Sequence, residues 1–449
     1  MTTRTRLLTL GSRGLVALLL LLAPALAIAA DQQNIPTQLT LSDALSLALT
    51  NSSVLRTAQS RLAQASGRYL QSRSFLLPQV EIGARQAYQT IDLRGIGILI
   101  PNLPQGKSPP FASLDARIAV SQELLNIANI QAWKSSRSRK ESYRLQVDDA
   151  REVVVLNVLG AYLGALRAKA SRDALTEQTQ LASDLYSLTQ SRVKQGVSAP
   201  LDANRAMQQV NSLEQQRQEA EQSYIAAKLT LADVLQARIT SDFEVSDTQA
   251  YGSETAMDLE SALKKALASR PDYRSAEANL KAAELQVSSA KALRLPTFSV
   301  GFSDGQSGST PAQNTNTYRV QGTLYLPVFT GGRTRGQIEE AEGALREARS
   351  TLDQLRSEIE TDVQAAFSGV QWAVKEVATS AANVTLSRQE VDLARDRFTH
   401  GVTDNTEIVN AQDRVSKADD ARVRALYTLG LARANLARAM AVAEATYKK

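Results

Sequence analysis

The sequence predicts a mainly α-helical protein with a small β part, built from two copies of one architecture. The first observation is an internal repeat: residues 41–83 align without a gap on residues 259–301, 218 positions later. Each copy starts with an amphipathic helical pattern and ends in a Leu-Pro step, at Pro78 and Pro296, followed by alternating residues. A helix that gives way to a strand at the same point in both copies indicates duplicated architecture.

The second observation is a very long helical pattern after each copy. In the second half, valine or phenylalanine recurs every seventh residue from Val363 to Phe398, and small residues follow three positions later. Such a seam is typical of a left-handed coiled coil. In the first half the helix is expected over 126–195, which at 1.5 Å per residue is about 100 Å long. Gly196 and Gly401 interrupt the two patterns, and a return helix follows each.

The third observation is a set of four alternating segments, at 79–90, 111–124, 297–304 and 317–328. Each has about ten residues with one apolar and one polar face, which is the length and alternation of a transmembrane β-strand. Ordinary half-buried hairpins fit the alternation equally well. We expect one antiparallel four-stranded sheet, with Phe298, Val300 and Phe302 on a face towards lipid.

We interpret the order of segments as five parts. Residues 1–30 are a signal peptide, 31–238 the first repeat, 239–258 a connector, 259–441 the second repeat and 442–449 a C-terminal tail. The helix that opens the first repeat is expected to run unbroken from Thr40 to about Phe75. The two hairpin loops are expected at 91–110 and 305–316. The connector is acidic and is expected to pack outside the helices.

Composition limits the classes of function. Three arginines, an apolar run at 15–22 and Ala27-Ile28-Ala29 form a secretory signal pattern. Without those arginines, 48 basic residues face 46 acidic ones, so the pI of 9.3 gives little support for a nucleic-acid partner. There is no cysteine, so an exported chain must be held together by packing or oligomerisation. After residue 30 no run of eighteen apolar residues predicts a transmembrane helix.

The sequence has few residues or motifs suited to catalysis or metal binding. With one histidine, His400, and no cysteine, a His/Cys metal site cannot be built. The sequence has no phosphate-cradling loop and no nucleophile elbow. We therefore expect no catalytic residue, no cofactor, no metal and no enzyme activity.

Four strands cannot close a membrane barrel, since about eight is the smallest number known. Open strand edges cannot exist in lipid, so several copies must share one barrel. The repeated Leu-Pro steps, the strand-to-helix passage at 326–332 and the turns at 192–202 and 397–407 carry a resemblance. The chain resembles the TolC-type outer-membrane efflux proteins across essentially its whole mature length.

The resemblance implies a homotrimer with a shared 12-stranded β-barrel in the outer membrane of a Gram-negative bacterium. It also implies an α-helical coiled-coil barrel across the periplasm, docked to a periplasmic adaptor and an inner-membrane pump. Substrates such as drugs, small toxic molecules or proteins would pass unchanged, and drug efflux, metal efflux and type I secretion stay open. A secreted periplasmic coiled-coil structural or adaptor protein is the alternative, and a helical ligand-binding protein is a third class.

The resemblance also implies two kinds of site. The adaptor-docking tips fall on Gly196, Val197, Gly401 and Val402. In the family, acidic residues after the second tip glycine form a periplasmic gate. Glu407 matches the first such position and Asn410 occupies the second, so the gate is expected to be less acidic than the pattern; Asp202 and Asp404 are further gate candidates. Arg205 or Arg414 are expected to hold these acids.

Overall fold

The structure is a computed structural model that describes residues 35–93, 95, 97, 107–246, 258–310, 313–403 and 405–448. The predicted signal peptide, most of the first hairpin loop, most of the connector and Asp404 lie outside the described residues. Both repeats are described over almost their whole length.

The elements follow the same order in the two repeats. The first contains β1 (Gln38–Leu39), α1 (Leu41–Asn51), α2 (Ser53–Ser74), β2 (Gln79–Gln89), β3 (Phe111–Leu125), α3 (Ile127–Lys194) and α4 (Pro200–Val234). A short strand, β4 (Glu244–Val245), pairs in parallel with β1. The second contains α5 (Leu259–Ser269), α6 (Pro271–Ala292), β5 (Thr297–Gly308), β6 (Asn314–Tyr325), α7 (Arg333–Thr399), α8 (Asn405–Ala439) and α9 (Ala443–Tyr447).

The prediction of one unbroken helix from Thr40 to Phe75 is wrong, because the chain breaks at Ser52 between α1 and α2. The Ser52 hydroxyl accepts the N–H of Leu55 at 3.3 Å and so caps the start of α2. The second repeat breaks at the matching place, Arg270, because the following proline disfavours a helical conformation there. The break between the first two helices is therefore also part of the internal repeat.

The four long strands form one antiparallel sheet in the order β2-β3-β5-β6, so the β3–β5 pair joins the two repeats. The predicted loop at 305–316 is wrong in extent, because β5 continues to Gly308 and β6 starts at Asn314. A Cβ on Gly305 would lie 2.3 Å from the Ala116 carbonyl oxygen. The glycine that suggested a loop instead allows two strands to approach closely.

The sheet has one apolar face. Its register places Val80, Val120, Phe302 and Val320 in one row, and Phe298 and Val300 share that face, as predicted. The opposite face carries the polar residues, among them Arg85, Asp115, Arg117 and Arg319. The edge strands β2 and β6 are exposed on almost their whole length, with Ile82 at 85% and Val320 at 73%. The sheet thus has an uncovered apolar face and two open edges.

The two long helices give the molecule its length. At 68 and 67 residues, α3 and α7 each span about 100 Å. The heptad seam of α7 is confirmed, because its members are buried or half-buried among exposed neighbours: Val363, Ala366, Val370, Ala373, Val377, Ser380, Val384, Ser387, Val391, Ala394 and Phe398. Each long helix packs against the return helix that follows it.

The largest core lies around the middle of α3. Val155, Val158 and Tyr162 are fully buried there against α1, α4 and β4. Within the described ranges, α3 is the one helix long and apolar enough by composition to cross a membrane. Its apolar stretch supplies this core, which accounts for its composition.

The C-terminal segment is packed against α3. Arg151 pairs with Glu444 at 2.7 Å, and this hydrogen bond holds the pKa of Glu444 below its usual range. The buried Glu152 carboxylate accepts the N–H of Ala443 at 3.0 Å at the start of α9. The chain end is therefore fixed beside the largest core.

Candidate functional site: the two helix-hairpin tips

The first tip is a glycine-terminated helix end. Gly196 has φ +73°, and its N–H donates to the Val193 carbonyl at 3.0 Å while that of Val197 donates to Arg192 at 2.9 Å. This pair of bonds is the Schellman motif, which needs a left-handed residue that glycine adopts without strain. The local sequence thus ends α3 and reverses the chain within a few residues.

The second tip repeats this geometry. Gly401 also has φ +73°, its N–H donates to Phe398 at 3.0 Å, and Val402 donates to Arg397 at 2.9 Å. Val197 and Val402 are 61% and 68% exposed. A Cβ on either glycine would meet nothing within 4 Å. The four predicted docking residues therefore form two matching turns, each presenting an exposed valine.

The two tips are tied together within the protomer. Arg192 of the first tip donates to the Phe398 carbonyl at 2.9 Å, and its guanidinium lies 4.5 Å from the Phe398 ring centre. Arg205 donates to the Thr406 hydroxyl at 3.1 Å. A small apolar core lies between the hairpins: Leu185, Ala394, Phe398, Ile408 and Ala411. A displacement of one tip would therefore disturb the other.

The two acids predicted for the gate have different surroundings. The Asp202 carboxylate is 13% exposed, accepts the N–H of Ala199 at 3.2 Å and lies 3.8 Å from Arg205. Glu407 is 37% exposed in the first turn of α8 and lies 3.3 Å from Arg397. Asp202 is therefore engaged with the start of its own helix, whereas Glu407 is more open to solvent.

The expected basic partners are found in part. Arg205 lies beside Asp202, as predicted, but Arg414 pairs with Glu390 at 2.6 Å instead of with a gate acid. The partner of Glu407 is Arg397, which lies across the turn. Ten residues and a chain reversal separate these two, so helical spacing alone could not reveal the pair. Asn410 is exposed one turn further along α8.

Within the described part of the chain, no group of three or more His, Asp or Glu side chains is placed to hold a metal ion. His400 is exposed beside Gly401, and its Nδ1 lies 2.9 Å from the Asp396 carbonyl oxygen. This position is that of a turn residue at the helix end.

An open-edged sheet at one end, helices of about 100 Å and paired hairpin tips at the other end together define a TolC-like channel protomer. Comparison with known proteins agrees. The chain belongs to the outer membrane efflux protein family, whose family model matches residues 44–236 and 262–442, one stretch in each repeat.

Individual proteins resemble the chain in sequence or in fold. The pyoverdine export outer membrane protein OpmQ of Pseudomonas putida is 30% identical over 318 residues, which cover 67% of this chain and 65% of OpmQ. The crystal structure of a Pseudomonas aeruginosa membrane protein has a TM-score of 0.78 at 20% identity, covering 89% of this chain and 92% of that one. The Campylobacter jejuni CmeC outer membrane channel has a TM-score of 0.76 at 18% identity, with 91% and 86% covered. The match spans slightly less than two thirds of the length of OpmQ.

Proposed function

We propose that this protein is the outer-membrane channel of a tripartite export system and works as a homotrimer. The observation that carries the proposal is the sheet, whose apolar face is uncovered and whose two edges are open. The uncovered apolar face is unfavourable in water, and the open edges are unstable in lipid, so one copy alone suits neither environment. Three copies would close a 12-stranded barrel whose apolar face meets lipid and whose polar face lines the pore.

The helical part supplies the rest of the pathway. The helices extend about 100 Å from the sheet, so the tips lie deep in the periplasm. There they dock to a periplasmic adaptor, which links the channel to an inner-membrane pump. Family membership and the exposed valines at the matching turns support this placement.

The cargo passes through the tunnel without chemical change, so the protein acts as a conduit and not as an enzyme. Drugs, small toxic molecules and proteins are all compatible with such a channel. The name of OpmQ states pyoverdine export, which adds a small exported molecule of that kind to the candidates. In a soluble periplasmic coiled-coil protein, a sheet face that exposes Ile82, Tyr318 and Val320 to water would be unfavourable.

Neighbouring residues of β6 give a test of the barrel. Val320 is on the apolar face and Gln321 on the polar face, both near the middle of the strand. Val320→Lys is expected to reduce assembly in the outer membrane strongly, because a lysine at mid-membrane on the lipid face costs about 2–4 kcal/mol. Gln321→Lys adds the same charge towards the pore and is the matched control, with assembly retained.

The measurement is the amount of protein in the outer-membrane fraction and its mass in detergent by native mass spectrometry. The expected mass is that of three chains, and the purified trimers are expected to conduct ions in planar bilayers. A soluble monomer, or equal tolerance of lysine at both positions, would contradict the proposal.

A further inference from the structure

The helices next to the sheet form a row, and the first and last helices of that row have no neighbour on their outer side within the row. Within one protomer α2 packs on α3, α3 packs on α6, and α6 packs on α7. The outer members of the row are therefore α2 and α7, just as β2 and β6 are the outer strands of the sheet. A homotrimer closes this row only if α7 of one copy meets α2 of the next.

The internal repeat predicts the geometry of that contact. The turns at Gly196 and Gly401 align α3 with α7 at an offset of 205, and the first repeat unit aligns α2 with α6 at an offset of 218. The packing confirms both offsets: Tyr69 of α2 lies 6.3 Å from Trp133 of α3, and their counterparts Val287 and Ile338 lie in one buried cluster between α6 and α7. The α3–α6 seam is therefore a template for the seam between α7 and α2 of a second copy.

The template seam is held by small polar side chains. The Ser135 hydroxyl donates to the Ala282 carbonyl at 2.8 Å, and the Ser142 and Ser275 hydroxyl oxygens are 2.9 Å apart. A cavity of about 590 Å³ lies beside them, and its lining includes Ser135, Ser142, Asn279 and Gln286 as well as Arg68 of α2 in the same protomer. These two hydrogen bonds hold the seam, and the two amides line the groove next to it.

The same positions carry charges at the outer edges of the row. By the offsets, the places of Ser135 and Ser142 are taken by Glu340 and Glu347 of α7. The places of Asn279 and Gln286 are taken by Arg61 and Arg68 of α2. All four side chains are exposed, and none forms an ion pair within the described residues of one protomer. Two acids thus lie on α7 and two bases on α2, the outer helices of the row.

The acids and the bases also lie at matching distances from the sheet, and this agreement does not depend on the repeat. Arg68 lies six residues before the end of α2, and Glu340 lies seven residues after the start of α7, so each is about 10 Å from the helix end near the sheet. Arg61 and Glu347 lie one heptad further, at about 20 Å. Residues seven apart share a helix face, so both acids and both bases can meet along one seam.

In the closed row α7 of one copy meets α2 of the next, and we propose that Glu340 and Glu347 pair there with Arg61 and Arg68 of that neighbour. The inference rests on the homotrimer of the proposed function and names the surface that assembles it. Charges take the place of the hydroxyl and amide groups of the internal seam. Because opposite charges occupy opposite edges, three copies close in one direction only, α7 to α2.

Disulfide trapping tests the contact directly, because the chain has no cysteine of its own. The hydroxyls of Ser142 and Ser275 face each other, and their counterparts are Glu347 and Thr57. Oxidation of a Thr57→Cys, Glu347→Cys variant in isolated outer membranes is expected to give covalent dimers and trimers on a non-reducing gel. Thr57→Cys with Asp353→Cys is the matched control, since Asp353 is exposed on another face of α7, and it should stay uncrosslinked.

Charge exchange tests the pairing. Glu340→Arg with Glu347→Arg, and separately Arg61→Glu with Arg68→Glu, are each expected to lower the temperature at which trimers dissociate in detergent. The four substitutions together should restore most of that loss, because the opposite charges face each other again. Intact trimers that neither crosslink above the control nor show this rescue would overturn the seam and leave the channel standing. Unmodified protein that forms no trimer would overturn both.

Discussion

Replacement of Gly401 by valine is expected to abolish export while trimer formation and outer-membrane insertion persist. Gly401 has φ +73°, and a β-branched residue in that left-handed region costs roughly 1–2 kcal/mol. A Cβ there meets nothing within 4 Å, so the loss acts through the backbone turn and not through a clash. The turn fixes where Val402 projects, and the proposed adaptor contact depends on it.

The measurement is growth of a strain that lacks the chromosomal copy, in the presence of compounds that are toxic to that deletion strain. The unmodified gene should restore growth and the Gly401→Val gene should not, at equal trimer yield in the outer membrane. Gly196→Val is expected to act in the same way, because the first tip has the same geometry.

An asparagine at 401 is the matched control, because asparagine tolerates the left-handed conformation better than other non-glycine residues. If the conformation of the turn is what docking requires, Gly401→Asn should retain most of the export. Export that survives Gly401→Val at normal expression would contradict the assignment of the tip as a docking surface.

Local chemistry explains why the long elements could be predicted. Asn126 caps α3 through the N–H of Asn129, and Gly196 ends it, so both ends of a 68-residue helix have a signal in the sequence. The seam of α7 is visible because its residues keep a strict seven-residue period. Period and caps are local, and a single sequence contains them.

The predictions that failed concern features that no local signal in the sequence defines. Ser52 resembles any surface serine of a helix, and its role as a cap depends on the backbone conformation that it adopts. The run that begins at Gly305 has the composition of a loop, but pairing with β3 makes it a strand. The pair between Arg397 and Glu407 exists because the chain reverses between them. Each of these depends on contacts that only the folded chain defines.

Glu407 and Asp202 are both acids near the start of a helix, but we expect them to have different roles. Asp202 is expected to stabilise the helix end, and Glu407 is expected to affect which ions pass. The Asp202 carboxylate accepts a backbone N–H at the start of α4. The amide oxygen of Asp202→Asn can still accept that bond, so the helix end is expected to lose only the favourable charge at its start, about 0.3–1 kcal/mol. The substitution is expected to change ion selectivity little, since the side chain is only 13% exposed. This variant removes one negative charge per copy and is the matched control for the same change at Glu407.

Glu407→Gln is expected to reduce the preference of the channel for cations and to weaken block by divalent cations. In the proposed homotrimer Glu407 appears three times around the axis, and its charges act over a Debye length of about 8 Å at physiological salt. The substitution also leaves Arg397 without the carboxylate that lies 3.3 Å away, so the mouth gains positive charge and favours anions. The reversal potential of single trimers in a salt gradient, measured with and without magnesium, checks both effects. Unchanged selectivity and block, or an equal shift from Asp202→Asn, would reduce Glu407 to a charge that stabilises the start of α8.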